Sequence, residues 1–198
     1  MAITKTTTLA RTFDPLKVAR YERDSWVAYY RKRWLTLLRV FVGLLHYAFG
    51  LPFLQTLHVA YLATRALIAF APKENDITLA ETYMGRFFEF LKQIFNRDYD
   101  AAVVARLEVN WWVVHRRFAG QSDTSELVRA LMMAYAAEYG VEPAAVREAA
   151  YYRAQAMLHS DRWVDEGCDI TSPLLAQEEE ELHRSYTALH AAIQSHST

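Results

Sequence analysis

The chain has 198 residues, of which 53% are hydrophobic and 23% are charged, a balance typical of one folded domain and not of a disordered segment. Its formal net charge of −1 gives the whole molecule no electrostatic preference for nucleic acid, so we predict no nucleic-acid partner. The single cysteine, Cys168, excludes an intramolecular disulfide and a zinc site built from cysteines.

The charges are unevenly distributed along the chain. Residues 1–50 contain nine lysines and arginines against three acidic residues, whereas residues 160–198 contain eight acidic residues against two arginines. We expect the first and last helices to pack together and neutralise each other. The alternative is a basic N-terminal arm that touches phosphates or a membrane surface. The N-terminal sequence lacks the apolar core of a signal peptide, so a cytoplasmic protein is the expectation.

Helix start and stop signals recur along the chain, and no alternating strand pattern is present. Predicted helices begin at Asp14-Pro15, Pro52, Asp76 or Thr78, Asp100, Thr124 or Ser125, Pro143, and Ser172-Pro173. The first is predicted to run through Trp34 or on to Phe49. Because the connections are short, sequential helices should be antiparallel neighbours. The sequence therefore predicts an all-α, single-domain bundle of seven to eight mostly antiparallel helices over residues 14–195, after a flexible tail over residues 1–13.

One stretch is unusually apolar, since Val40 to Thr64 contains no Asp, Glu, Lys or Arg. A membrane span needs about 20 apolar residues. Here Gly50 and Pro52 interrupt the run in its middle, which favours two helices buried in a soluble core. We therefore expect no membrane contact, with a membrane span as the alternative.

Two ionisable side chains lie in an apolar part of the helix that begins at Asp100. Glu108 and His115 are seven residues apart, so at about 100° per residue they share one helix face. Trp111 and Trp112 share that face. Ionisable groups placed among tryptophans are either structural pairs or parts of a site.

Two further charged residues are predicted to face the core. Glu22 shares an arc of the first helix with Trp26 and Tyr29, and Arg153 shares a face of the helix after Pro143 with small apolar residues. Four candidate catalytic residues thus point inward from three helices: Glu22, Glu108, His115 and Arg153. They form either structural salt bridges or the polar end of an aromatic pocket.

In an enzyme, His115 would be the proton shuttle and Glu108 would orient it or bind a metal. Arg153 would hold an anionic substrate group or pair with Glu22. The candidate metal ligands are Glu22, Glu108 and His115, with iron as the candidate ion, because helical bundles bind metals through core glutamates and histidines. The seven-residue spacing is about 10.5 Å along the helix, which is wide for one ion. Haem is a further alternative, with candidate axial ligands His46, His58, His115 and His159.

The sequence contains no glycine-rich phosphate loop, no Gly-x-Ser-x-Gly elbow and no His-Glu-x-x-His motif. The leading hypothesis is a helical bundle whose aromatic-lined internal pocket binds or transforms a small, largely apolar molecule, with metal-assisted oxidative chemistry as its enzymatic form. The alternative is a non-catalytic interaction protein, associating as a homodimer, whose inward charges are structural salt bridges.

Overall fold

A computed structural model describes residues 13–195. This part of the chain contains helices and no strands, which confirms the all-α prediction. The eight α-helices are α1 (Pro15–Tyr30), α2 (Trp34–Phe49), α3 (Phe53–Phe70), α4 (Ile77–Phe95), α5 (Ala101–Phe118), α6 (Ser125–Tyr139), α7 (Arg147–Asp165) and α8 (Leu174–Ser195). A 3₁₀ helix, Pro143–Val146, leads into α7. Residues 1–12 of the predicted tail lie outside the described residues.

The helices form a closed ring. Each helix packs against the next along the chain, and α8 also packs against α1. The predicted neutralisation of the two chain ends is confirmed, because Glu179 on α8 accepts hydrogen bonds from Arg20 Nε at 2.8 Å and from an Arg23 terminal nitrogen at 2.7 Å. One hydrophobic core receives side chains from all eight helices.

Aspartates begin three of the helices as the sequence predicts. The Asp14 carboxylate accepts backbone N–H groups at the start of α1, and Asp100 does the same for α5. Asp76 caps α4, so of the two predicted starts Asp76 is right and Thr78 is not. Each carboxylate satisfies N–H groups that have no partner inside the helix.

The first helix is shorter than predicted. It ends at Tyr30, and α2 begins at Trp34. Lys32 adopts a left-handed φ of 55°, and the N–H of Arg33 donates to the Ala28 carbonyl at 2.8 Å. Glycine is the usual residue at a left-handed position that ends a helix. Because Lys32 occupies this position, the sequence gave no indication that α1 ends here.

The apolar run forms two helices, as predicted, with a break at Gly50, whose φ is 65°. The expectation that both are buried is wrong for the start of α3, where Phe53 and Leu54 are exposed. Its other side supplies core residues that include Val59. Among residues 13–195, α3 is the one helix long and apolar enough to cross a membrane, judged by length and composition only, and 39% of it is buried within the protein.

Candidate functional site

A cavity of about 420 Å³ lies within the ring of helices, and all eight helices contribute to its wall. Most of the lining is apolar. Thirteen aromatic side chains line it: Trp26, Tyr29, Tyr30, Phe41, Phe49, Phe70, Phe87, Phe88, Trp111, Trp112, Tyr135, Tyr139 and Tyr186. The four predicted site residues, Glu22, Glu108, His115 and Arg153, also lie on this wall. The four residues that helical spacing predicts to point inward thus line one cavity.

Glu22 and Arg153 form an ion pair between α1 and α7. The Arg153 guanidinium donates to the Glu22 carboxylate, and the Tyr186 hydroxyl from α8 donates to the other oxygen of that carboxylate. A second guanidinium nitrogen donates to the Tyr135 hydroxyl at 2.9 Å. The guanidinium also lies 5.0 Å from the centre of the Trp111 ring. Of the two roles predicted for Arg153, pairing with Glu22 is the one that the geometry shows.

Small side chains on α7 allow this network to form. Ala149, Ala150 and Ala154 are buried, and they allow α8 to approach closely. The Ser185 hydroxyl on α8 donates to the Ala149 carbonyl at 2.8 Å across this contact. The approach brings Tyr186 within reach of the ion pair.

Glu108 differs from Glu22, because it has no arginine of its own. It projects from α5 onto the cavity wall, one turn before Trp111. It forms no ion pair within residues 13–195. Burial raises the pKa of Glu108 to about 7, against the opposing effects of the Arg153 charge and the Trp111 hydrogen bond. The Glu108 carboxyl therefore keeps its proton to a higher pH than an ordinary glutamate does.

His115 is held by a different carboxylate from the one expected. Its Nε2 lies 3.0 Å from Asp161 Oδ1, and Asp161 Oδ2 accepts the backbone N–H of Gly120 at 3.0 Å. The hypothesis that Glu108 orients His115 is wrong, since Asp161 on α7 occupies that position. The reason is tertiary, because Asp161 of α7 reaches both His115 near the end of α5 and the Gly120 N–H that follows this helix.

The candidate metal ligands do not form a metal site. Within the described part of the chain, no group of three or more His, Cys, Asp or Glu side chains is arranged to hold an ion. Glu22 is engaged by Arg153 and Tyr186, and His115 by Asp161. The residues present therefore do not fit the predicted iron site.

Three buried or half-buried polar residues of the interior are not among the residues predicted from the sequence. Tyr135 and Tyr186 complete the Glu22 network, and nothing in the sequence distinguishes them from other tyrosines of the core. Glu178 belongs to the acidic run Glu178–Glu181, which reads as a solvated helix face, yet Glu178 is fully buried and neither carboxyl oxygen has a hydrogen-bond partner among the described residues. Helical spacing does carry a signal here, because Glu178 shares a face with Leu182 four residues later.

Comparison with known proteins gives no relative from which a function could be transferred. No family model matches the chain, and neither the curated proteins nor the solved structures contain a significant match. The arrangement of the cavity is therefore the basis for a functional hypothesis.

Proposed function

We propose that this protein binds a small, largely apolar organic molecule inside the cavity lined by its eight helices. The observation that carries the proposal is the cavity itself, which has about 420 Å³ of space and an aromatic wall. Ligand sites in proteins are commonly concave and mostly apolar, with a few polar groups that orient the ligand. The volume falls within the usual range of such sites, about 300 to 1,000 Å³.

The polar groups on the cavity wall favour a ligand-binding site over an ordinary apolar core. Glu108 and His115 both face the cavity, so a bound molecule has a small number of polar contacts available within an apolar surrounding. Metal-assisted oxidation is not part of the proposal, because the candidate ligands Glu22, Glu108 and His115 do not converge on one point.

Native mass spectrometry of freshly purified protein is the first test, because it reports retained ligands directly. The second test is titration with N-phenyl-1-naphthylamine, a neutral probe whose fluorescence rises in apolar sites. We expect saturable binding at one site per chain. A chain that retains no ligand and does not bind the probe would contradict the proposal.

A matched pair of variants on α2 locates the bound probe. Leu44 lines the cavity, whereas Leu35 is 86% exposed on the same helix. Leu44→Trp places a larger side chain in the cavity, so we expect the probe affinity to fall at least about tenfold, which corresponds to about 1.4 kcal/mol. Leu35→Trp should leave the affinity unchanged. Equal affinity in both variants would place the probe outside the cavity and contradict the proposal.

A further inference from the structure

The charges on the cavity wall indicate the class of ligand. The wall carries five carboxylate side chains, on Glu22, Glu108, Glu138, Asp161 and Asp165, against two arginines and one histidine. Arg116, one of the two arginines, is exposed and donates to the Pro72 carbonyl and the Tyr29 hydroxyl. Asp165 is likewise exposed, Glu22 is paired with Arg153 and Asp161 with His115, so a ligand in the cavity meets the Glu108 carboxyl, which favours a cationic ligand.

The second arginine, Arg153, is not available to a ligand anion. Its two terminal nitrogens donate hydrogen bonds to the Glu22 carboxylate and the Tyr135 hydroxyl. Its Nε has no hydrogen-bond partner among the described residues, but less than 1 Å² of this atom is accessible to solvent. Neither arginine of the wall is therefore available to pair with an anionic ligand.

Glu108 offers the opposite arrangement. It is partly buried, faces the cavity, and forms no ion pair in the described part of the chain. Trp111 and Trp112, one turn further along α5, line the same wall. A carboxylate beside aromatic rings is the combination that proteins use to hold organic ammonium groups, through charge pairing and cation–π contacts.

We infer that the ligand is an amphipathic amine, with an apolar body in the aromatic part of the cavity and an ammonium group paired with Glu108. This inference rests on the proposed function, since it identifies the ligand class of the same cavity. The raised pKa of Glu108 is consistent with it, because desolvation outweighs the opposing charge of Arg153, and a bound ammonium group supplies a close cationic partner.

Three compounds with the same hydrocarbon body test the inference: 4-phenylbutylamine, 4-phenylbutan-1-ol and 4-phenylbutanoate. Their affinities are measured by isothermal titration calorimetry at pH 7 with the full chain. We expect the amine to bind at least about tenfold more tightly than the alcohol, and the carboxylate to bind more weakly than the alcohol. Alcohol binding without an amine preference overturns the amine inference and leaves the proposed function standing. A preference for the carboxylate likewise overturns the amine inference and leaves the proposed function standing. If none of the three compounds binds, the result counts against both the amine inference and the proposed function.

Glu108→Gln is the decisive variant, because glutamine preserves the size of the side chain and removes its charge. We expect the affinity for the amine to fall at least tenfold while the affinity for the alcohol stays within about twofold, which also shows that the variant folds. Glu89→Gln, at an exposed glutamate on α4, is the control and should alter neither affinity. Retention of the full amine preference in Glu108→Gln would overturn the pairing.

Discussion

At the scale of single residues, the inward charges of this protein fall into three environments. Glu22 is neutralised by Arg153, Glu108 faces a cavity without an ion-pair partner, and Glu178 is packed between helices without a hydrogen bond among residues 13–195. Because a buried carboxyl is stabilised only by its neighbours, these three glutamates differ in charge and in role although their residue type is the same.

The ion pair between Glu22 and Arg153 predicts a strongly unequal effect of single and double substitutions. Arg153→Met leaves the Glu22 carboxylate buried without its cation, so the free energy of unfolding should fall by about 3 to 5 kcal/mol. The double variant Glu22→Leu, Arg153→Met removes both charges and should recover much of that loss. Urea unfolding measures all three free energies.

Arg184→Met is the matched control, since Arg184 is half-exposed and forms surface ion pairs on α8. We expect a loss of at most about 1 kcal/mol. If Arg153→Met costs no more than this control, Glu22 is not held as an ion by Arg153.

Because the Glu178 carboxyl is buried, we expect the free energy of unfolding to decrease as the pH rises. Burial raises the pKa of Glu178 well above its ordinary value, so the folded chain retains a proton that the unfolded chain releases above about pH 4.3. Glu178→Met removes this effect and should raise the free energy of unfolding by about 1 to 3 kcal/mol at pH 8. The gain should be smaller at pH 5, as measured by urea unfolding at both values.

Glu180→Met provides the comparison two residues away, because Glu180 is exposed to solvent. Its effect should be small and similar at both pH values. A loss of stability in Glu178→Met that is equal at pH 5 and pH 8 would show that the Glu178 carboxyl has a stabilising partner.

At the scale of the helices, capping aspartates and glycines mark most of the helix boundaries, and one boundary lacks any such residue. Aspartate caps begin α1, α4 and α5, and Gly50 and Gly140 end α2 and α6. The break between α1 and α2 has no glycine or proline, since Lys32 takes the left-handed conformation there. The packing of α2 against α1 offsets the steric strain of that conformation.

Lys32→Gly tests this account of the break. Glycine adopts a positive φ without the steric penalty, so the free energy of unfolding should rise by up to about 1 kcal/mol after the larger entropy of glycine in the unfolded chain is subtracted. Thermal and urea unfolding measure the change. Arg33→Gly, at a neighbouring φ of −90°, has no strain to relieve and should lower stability by about 0.5 to 1 kcal/mol. The same sign for both variants would argue against strain at Lys32.

At the scale of the whole molecule, the closed ring of helices creates the cavity. The contact between α8 and α1 closes the ring, and the Glu179 ion pairs with Arg20 and Arg23 lie on that contact. The same closure places Tyr186 against Glu22. The proposed ligand site is thus a product of the full set of helices and not of any one motif.

The sequence by itself determined the helical class, most helix boundaries and the inward direction of Glu22, Glu108, His115 and Arg153. Each of these follows from local chemistry or from helical spacing, which act within a few residues along the chain. The tertiary structure decided the partners: Arg153 for Glu22, Asp161 for His115, and no ion-pair partner for Glu108 among the described residues. Spacing gives the direction in which a side chain points, whereas its charge and chemistry depend on which other helix lies opposite it.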